Sequence, residues 1–98
     1  MVKRYENQQC ELCKIFSTPS RLKILLNLRD KRLTVSEIVK KTKLRQSLVS
    51  QQLSILRSKN ILTTEREGKF IYYKIKYPEI MKAFDLMKIV LEKSKRNL

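Results

Sequence analysis

Gly68 is the only glycine in this 98-residue chain, and only two prolines, Pro19 and Pro78, accompany it. A fold made of many strands needs a tight turn every few residues. Such turns draw on glycine for left-handed backbone and on proline for its fixed φ. One glycine cannot serve that architecture, so the chain is expected to be mainly α, with about five helices and one small β-hairpin. The length fits one domain over residues 1–98 and is too short for two lobes around a catalytic cleft. A hydrophobic fraction of 42% suffices for one modest core.

Charge narrows the function. Lys and Arg number 23 against nine Asp and Glu, a formal net charge of +14, and there is no histidine. A surplus of that size repels itself and suits an anionic partner, either a nucleic acid or an acidic membrane surface. The lack of histidine removes Ser-His triads, imidazole general bases and His-ligated zinc together. No enzyme and no cofactor are expected. The start, Met1 to Gln9, lacks the apolar stretch of a signal peptide, and runs such as Ile24-Leu25-Leu26 and Ile89-Val90-Leu91 are far too short to span a bilayer. A cytoplasmic location without membrane association is the expectation.

Apolar spacing divides the chain. A first helix runs from about Arg4 to Phe16, with Tyr5, Leu12 and Phe16 on one face. Thr18 is a natural N-cap and Pro19 a natural first residue for a second helix reaching about Leu28. Leu33-Thr34-Val35 allows only a stub of strand. Ser36 can cap a short helix from about Glu37 to Lys41, followed by a turn containing Leu44. A longer helix, about Gln46 to Ser58, carries Val49, Leu53 and Leu56 at i, i+4 and i+7. Ile61 to Arg66 and Phe70 to Ile75 read as two strands around Glu67-Gly68-Lys69, with Gly68 at positive φ. Pro78 opens a last helix to about Lys95. The expected core is Leu22, Leu25, Leu26, Ile38, Val49, Leu53, Leu56, Ile71 and Tyr73.

The last helix is apolar beyond what one small core needs. Ile80, Phe84, Met87 and Leu91 form its stripe, and Met81, Leu86, Ile89 and Val90 widen it. A second copy of the chain is the simplest cover. The last helix, about 78–95, is therefore assigned to a dimer interface through Ile80, Phe84, Met87 and Leu91.

The sharpest signal is charge sorting. From Ile38 to Thr64 the chain holds Lys40, Lys41, Lys43, Arg45, Arg57 and Lys59 and no acidic residue. Ordinary solvated surfaces mix signs, whereas an acid-free helix-turn-helix suits phosphate. Gln46, Ser47, Ser50 and Gln51 open the longer helix, where side chains enter a major groove, and are assigned to base readout. Lys41, Lys43, Arg45, Ser54, Arg66 and Lys69 are assigned to the DNA backbone. Arg66 and Lys69 make the hairpin a wing, although Glu65 and Glu67 beside them weigh against contact with phosphate.

Four segments in order resemble the ArsR-type winged-helix repressors: Thr18 to Leu25, Leu33 to Ile38, Gln46 to Arg57 and Arg66 to Ile75. The resemblance spans about Ile15 to Ile75. It implies a winged helix-turn-helix, a homodimer joined through its first (about 4–16) and last (about 78–95) helices, which adds Leu12 and Phe16 to the interface, and one recognition helix in each of two major grooves. Many members of that family release DNA on a metal or thiol-reactive signal. This chain departs from the pattern at several points. Lys43 stands where the turn usually has glycine, Arg45 where the recognition helix usually has a serine cap, and Gln51-Gln52 where a histidine pair is frequent. Thr34 and Ser36 occupy the positions of the family's thiolate ligands, and the carboxylate-histidine site of its last helix has no histidine here.

Cys10 and Cys13, three apart on a helix, share a face. They are either a thiol switch or half of a metal site completed by a second copy, or two small residues packed at a helix interface. The reading is thus a sequence-specific DNA-binding transcriptional regulator, a repressor that binds an inverted repeat as a homodimer, with double-stranded DNA as partner and a metal or oxidant as conceivable effector. A non-specific DNA-coating protein and a sensor acting through Cys10 and Cys13 are the alternatives. A CxxC oxidoreductase fits badly, because a thioredoxin-type motif belongs between a strand and a helix of an α/β fold and no such sequence pattern surrounds Cys10.

Overall fold

A computed structural model of the chain describes residues 14–96. Leu12, Cys10 and Cys13, and with them those parts of the interface and thiol assignments, lie outside the described residues. The element order is α1 (14–17), α2 (Pro19–Asn27), α3 (Val35–Thr42), α4 (Gln46–Ser58), β1 (Leu62–Glu67), β2 (Phe70–Ile75) and α5 (Glu79–Arg96). Five helices and a two-stranded antiparallel hairpin make a winged helix-turn-helix, as expected.

The helix starts differ in their chemistry. Thr18 sits at the N-cap of α2 with Pro19 following, yet its side chain makes no cap bond. The hydroxyl instead donates to the carbonyl of Lys14 at 2.9 Å, closing α1. The expected Ser36 cap of α3 is corrected to Thr34. The Thr34 hydroxyl accepts from the Glu37 amide and the Glu37 carboxylate accepts from the Thr34 amide, a reciprocal pair that starts the helix at Val35.

The helix ends show how a chain with one glycine turns its corners. Asp30, Lys43 and Asn60 all take φ near +60°. Asp and Asn tolerate the left-handed region because their short polar side chains bond locally; lysine has no such compensation. Gly68 takes φ +59° in the hairpin turn, as the sequence implied.

The core joins α2, α3 and α4 to the base of the hairpin. Ile38, Val49, Leu53, Leu56 and Leu25 are buried as expected, and Leu22 and Tyr73 are half-buried. Two assignments are corrected. Leu26 is 43% exposed, because the buried stripe of α2 is Ile24, Leu25 and Leu28. Leu26 lies roughly 200° round the helix from Ile24. Ile71 is 44% exposed, because it pairs with Arg66 one step from the turn, out on the wing beyond the reach of the core. Ile15, Leu33, Ile61, Leu62 and Met81 are buried in addition.

The hairpin is fixed to the body through its inner edge. Leu33 forms a two-way bridge with Tyr73, at 3.0 and 2.8 Å, and the Lys76 amide donates to the Ile61 carbonyl. Side chains alternate across the strands. Leu62, Tyr73 and Ile75 turn toward the core, where β1 meets α4 and β2 meets α3, while Glu65, Tyr72 and Lys74 fall on the opposite face.

Candidate nucleic-acid interface

The turn between α3 and α4 sets the angle of the reading helix. Thr42 is fully buried; its hydroxyl donates to the Ile38 carbonyl at 2.7 Å and accepts from the Leu44 amide at 3.3 Å. Lys43 then reverses the chain in left-handed backbone, its amide donating to the Val39 carbonyl at 2.8 Å. This is the position where glycine was expected from the family pattern. Arg45 is the N-cap of α4 and supplies no side-chain cap, and the first turn of α4 holds no acid. The amides there stay open and the positive end of the helix dipole is unopposed.

Along α4 the faces separate cleanly. Val49, Gln52, Leu53 and Leu56 are buried. Gln46, Ser47, Ser50, Gln51 and Ser54 are all exposed. Lys41, Lys43 and Arg45 are exposed at the turn that precedes them. The structure therefore brings the assigned base-reading and backbone-contacting residues of the helix-turn-helix to one polar, cationic end.

In the sequence Gln52 stood out only as half of the Gln51-Gln52 pair where histidines are frequent, not as a structural residue. It is 8% exposed, and its Oε1 accepts a 2.6 Å hydrogen bond from Nε of Arg21 in α2. The signal was present: Gln52 continues the stripe of Val49, Leu53 and Leu56, and a polar group on a buried stripe requires a partner.

The wing resolves the difficulty posed by its acids. Arg32, in the loop before α3, donates from Nη1 to Glu65 at 2.8 Å and from Nη2 to Glu67 at 2.7 Å, and its guanidinium lies 4.2 Å from the centre of the Tyr72 ring. Lys74 also pairs with Glu65. Lys74 first and Arg32 second hold the Glu65 carboxyl below its ordinary pKa. Both wing carboxylates are thus engaged by cations, and Arg66 and Lys69 stay exposed at the tip. Arg32 is a structural residue that the sequence reading missed, since nothing local to it indicates a partner 33 residues away.

On the far side, Phe16 and Phe84 meet within one chain, ring centres 5.6 Å apart, and Ile80 and Phe84 pack against the core. Arg29 at the end of α2 forms a two-point ion pair with Asp85 of α5. The rest of α5 is bare: Leu86, Met87, Ile89, Val90 and Leu91 are all exposed. Among the described residues no group of three or more His, Cys, Asp or Glu could hold a metal, and no helix is long and apolar enough to cross a membrane.

Comparison with known proteins places this geometry. Residues 18–64 match the family model of bacterial regulatory proteins of the arsR family. The transcriptional repressor PagR of Bacillus anthracis is 44% identical over 71 residues, covering 71% of each chain. The HTH-type transcriptional repressor SmtB of Mycobacterium tuberculosis (strain H37Rv) is 37% identical over 65 residues, 66% of this chain, which spans 48% of the length of that relative. Among solved structures, M. tuberculosis Rv0081 superposes with a TM-score of 0.84 at 26% identity, covering 95% of this chain and 94% of that one. This chain belongs to the arsR family of bacterial regulatory proteins.

Proposed function

We propose that this chain is a sequence-specific DNA-binding transcriptional regulator, a repressor, that acts as a homodimer on an inverted-repeat operator in the cytoplasm. Its role is binding, not catalysis. The observation that carries the reading is the exposed start of α4. Gln46, Ser47, Ser50 and Gln51 stand free of the core, at an uncapped and acid-free helix end, between exposed Lys41, Lys43, Arg45 and Ser54. Glutamine can pair with adenine through two hydrogen bonds in the major groove, and long cations around it reach the phosphates. Arg66 and Lys69 reach the flanking backbone from the wing tip. PagR and SmtB are both named repressors, which supports the direction of control.

The dimer is inferred from α5. Five large apolar side chains exposed on one helix of a 98-residue chain call for cover, and a second copy covers like with like. Met87 and Leu91 are the central contacts, with Ile80, Phe84 and Phe16 behind them. The chain acts as one domain, with its first and last helices at that interface.

The experiment is protection mapping on a promoter fragment from the gene's own neighbourhood, with sedimentation of the free protein at micromolar concentration. The reading expects a dimer that protects a short inverted repeat and prefers it to random duplex. A dimer without preference would make the protein a DNA-coating one. A monomer would remove the inverted repeat from the account.

A further inference from the structure

A cleft of about 660 Å³ opens between the loop after α2, the base of the wing and the start of α5. Its floor is apolar, formed by Leu28, Ile75 and Met81, and its rim carries six cations against the two carboxylates of Asp30 and Glu65. We propose that this cleft binds a small organic polyanion, a molecule carrying two or more phosphate or carboxylate groups.

Size and lining fit a small-molecule site, which is typically a few hundred Å³ with an apolar body and a few convergent polar groups. Two walls are held by ion pairs that join separate elements. Arg29 is fixed by Asp85 of α5, and Arg32 by Glu65 and Glu67 of the wing. A guanidinium has five N–H donors, so each arginine keeps capacity beyond what its carboxylate takes. Of the other four rim cations, Lys74 pairs with Glu65, while Lys31, Lys76 and Lys82 have no carboxylate partner among the described residues. Lys31 stands beside Lys41, and contact with that second amine, together with its charge, lowers the Lys31 pKa. Crowded ammonium groups of this kind are relieved by an anion between or beside them.

Position separates the cleft from the reading helix. None of the residues lining the cleft belongs to α3 or α4, although Lys31 on its rim stands beside Lys41, an assigned DNA-backbone contact. A ligand here would touch the loop before α3, the wing and α5 at once. That arrangement would let it regulate DNA affinity by shifting the wing relative to the helix assigned to the dimer, a consequence that rests on the proposed function. The binding itself does not.

Titration of the full chain with pyrophosphate, and separately with citrate, at fixed ionic strength and followed by amide NMR tests the proposal. Saturable shifts confined to residues 28–32, 74–76 and 79–82 are expected from at least one of the two probes, and the tighter one sets the acid group as phosphate or carboxylate. A Lys76→Ala, Lys82→Ala double variant, or Lys31→Ala should the first fail to fold, should lose about tenfold in affinity for that probe. The double variant should still bind duplex DNA like the parent. Non-saturating shifts across the basic surface, shifts at residues 46–51, or undiminished binding by the variants would overturn the proposal. Duplex binding weakened several-fold in the double variant would also overturn it, by making the cleft a contact for the DNA backbone. Failure of the proposed function reads out separately, as a parent protein with no promoter preference whose cleft shifts are intact.

Discussion

Arg21 of α2 reaches across to α4 and donates from Nε to Oε1 of Gln52 at 2.6 Å. The bond ties the reading helix to the scaffold from its buried side, directly behind exposed Gln51. Removing one partner leaves the other unsatisfied in a part-buried place, which costs about 1–3 kcal/mol. Gln52→Ala is therefore expected to lower unfolding stability by that amount in a urea titration. Gln52→Leu, which offers no acceptor but fills the volume, should lose the hydrogen bond while keeping most of the packing. Arg21→Met combined with Gln52→Leu should recover stability relative to Gln52→Leu alone, because no orphaned guanidinium remains.

Lys43 adopts left-handed backbone with no compensating local bond from its side chain. That geometry costs a residue with a Cβ about 1 kcal/mol or more, and the greater freedom of unfolded glycine returns part of the difference. Lys43→Gly should stabilise the fold by about 0.5–1 kcal/mol in chemical denaturation. The same change should weaken all DNA alike and reduce the salt slope by about one per lost phosphate contact, twice that in a dimer. A variant that is both less stable and unchanged on DNA would remove both roles from Lys43.

These two positions show what was legible. The elements were readable because apolar period, Pro19, Pro78 and Gly68 mark them locally, and the exposed start of α4 followed from the stripe of Val49, Leu53 and Leu56. The Leu26 error came from choosing the wrong one of two overlapping stripes on α2, where Leu22, Ile24, Leu25, Leu26 and Leu28 offer both. Ile71 misled because a strand's alternation says which face a residue takes and not how far along the strand the core extends. The Arg32 clamp and the Arg29–Asp85 pair join residues dozens of positions apart, and no local pattern encodes them.

Glu37, Glu65 and Asp85 all hold their carboxyls below the ordinary range. The Thr34 amide is the first cause for Glu37, Lys74 for Glu65 and Arg29 for Asp85. A carboxyl whose pKa is lower when folded than when unfolded favours the fold above the unfolded value and loses that contribution as pH falls through the folded one. The melting temperature should accordingly be flat near neutrality and fall as pH drops below about 5. Glu65→Gln should lower the melting temperature near neutrality and flatten part of the acid slope, so that variant and parent converge at low pH. Glu37 is exposed and Glu65 and Asp85 are half-buried at the surface, so high salt should shrink the difference. An acid slope identical in Glu65→Gln and parent would mean that the wing clamp contributes nothing in solution.

On the proposed function, the start of α4 reads bases while the cations around it hold phosphate. The most direct measurement is the affinity of Gln51→Ala for the operator and for random duplex, at matched salt. The expected result is a loss of about 1–3 kcal/mol on the operator, flattened preference at one base pair per half-site, and unchanged binding to random DNA. Equal weakening on operator and random duplex would make Gln51 a backbone contact and contradict the assignment of the reading face.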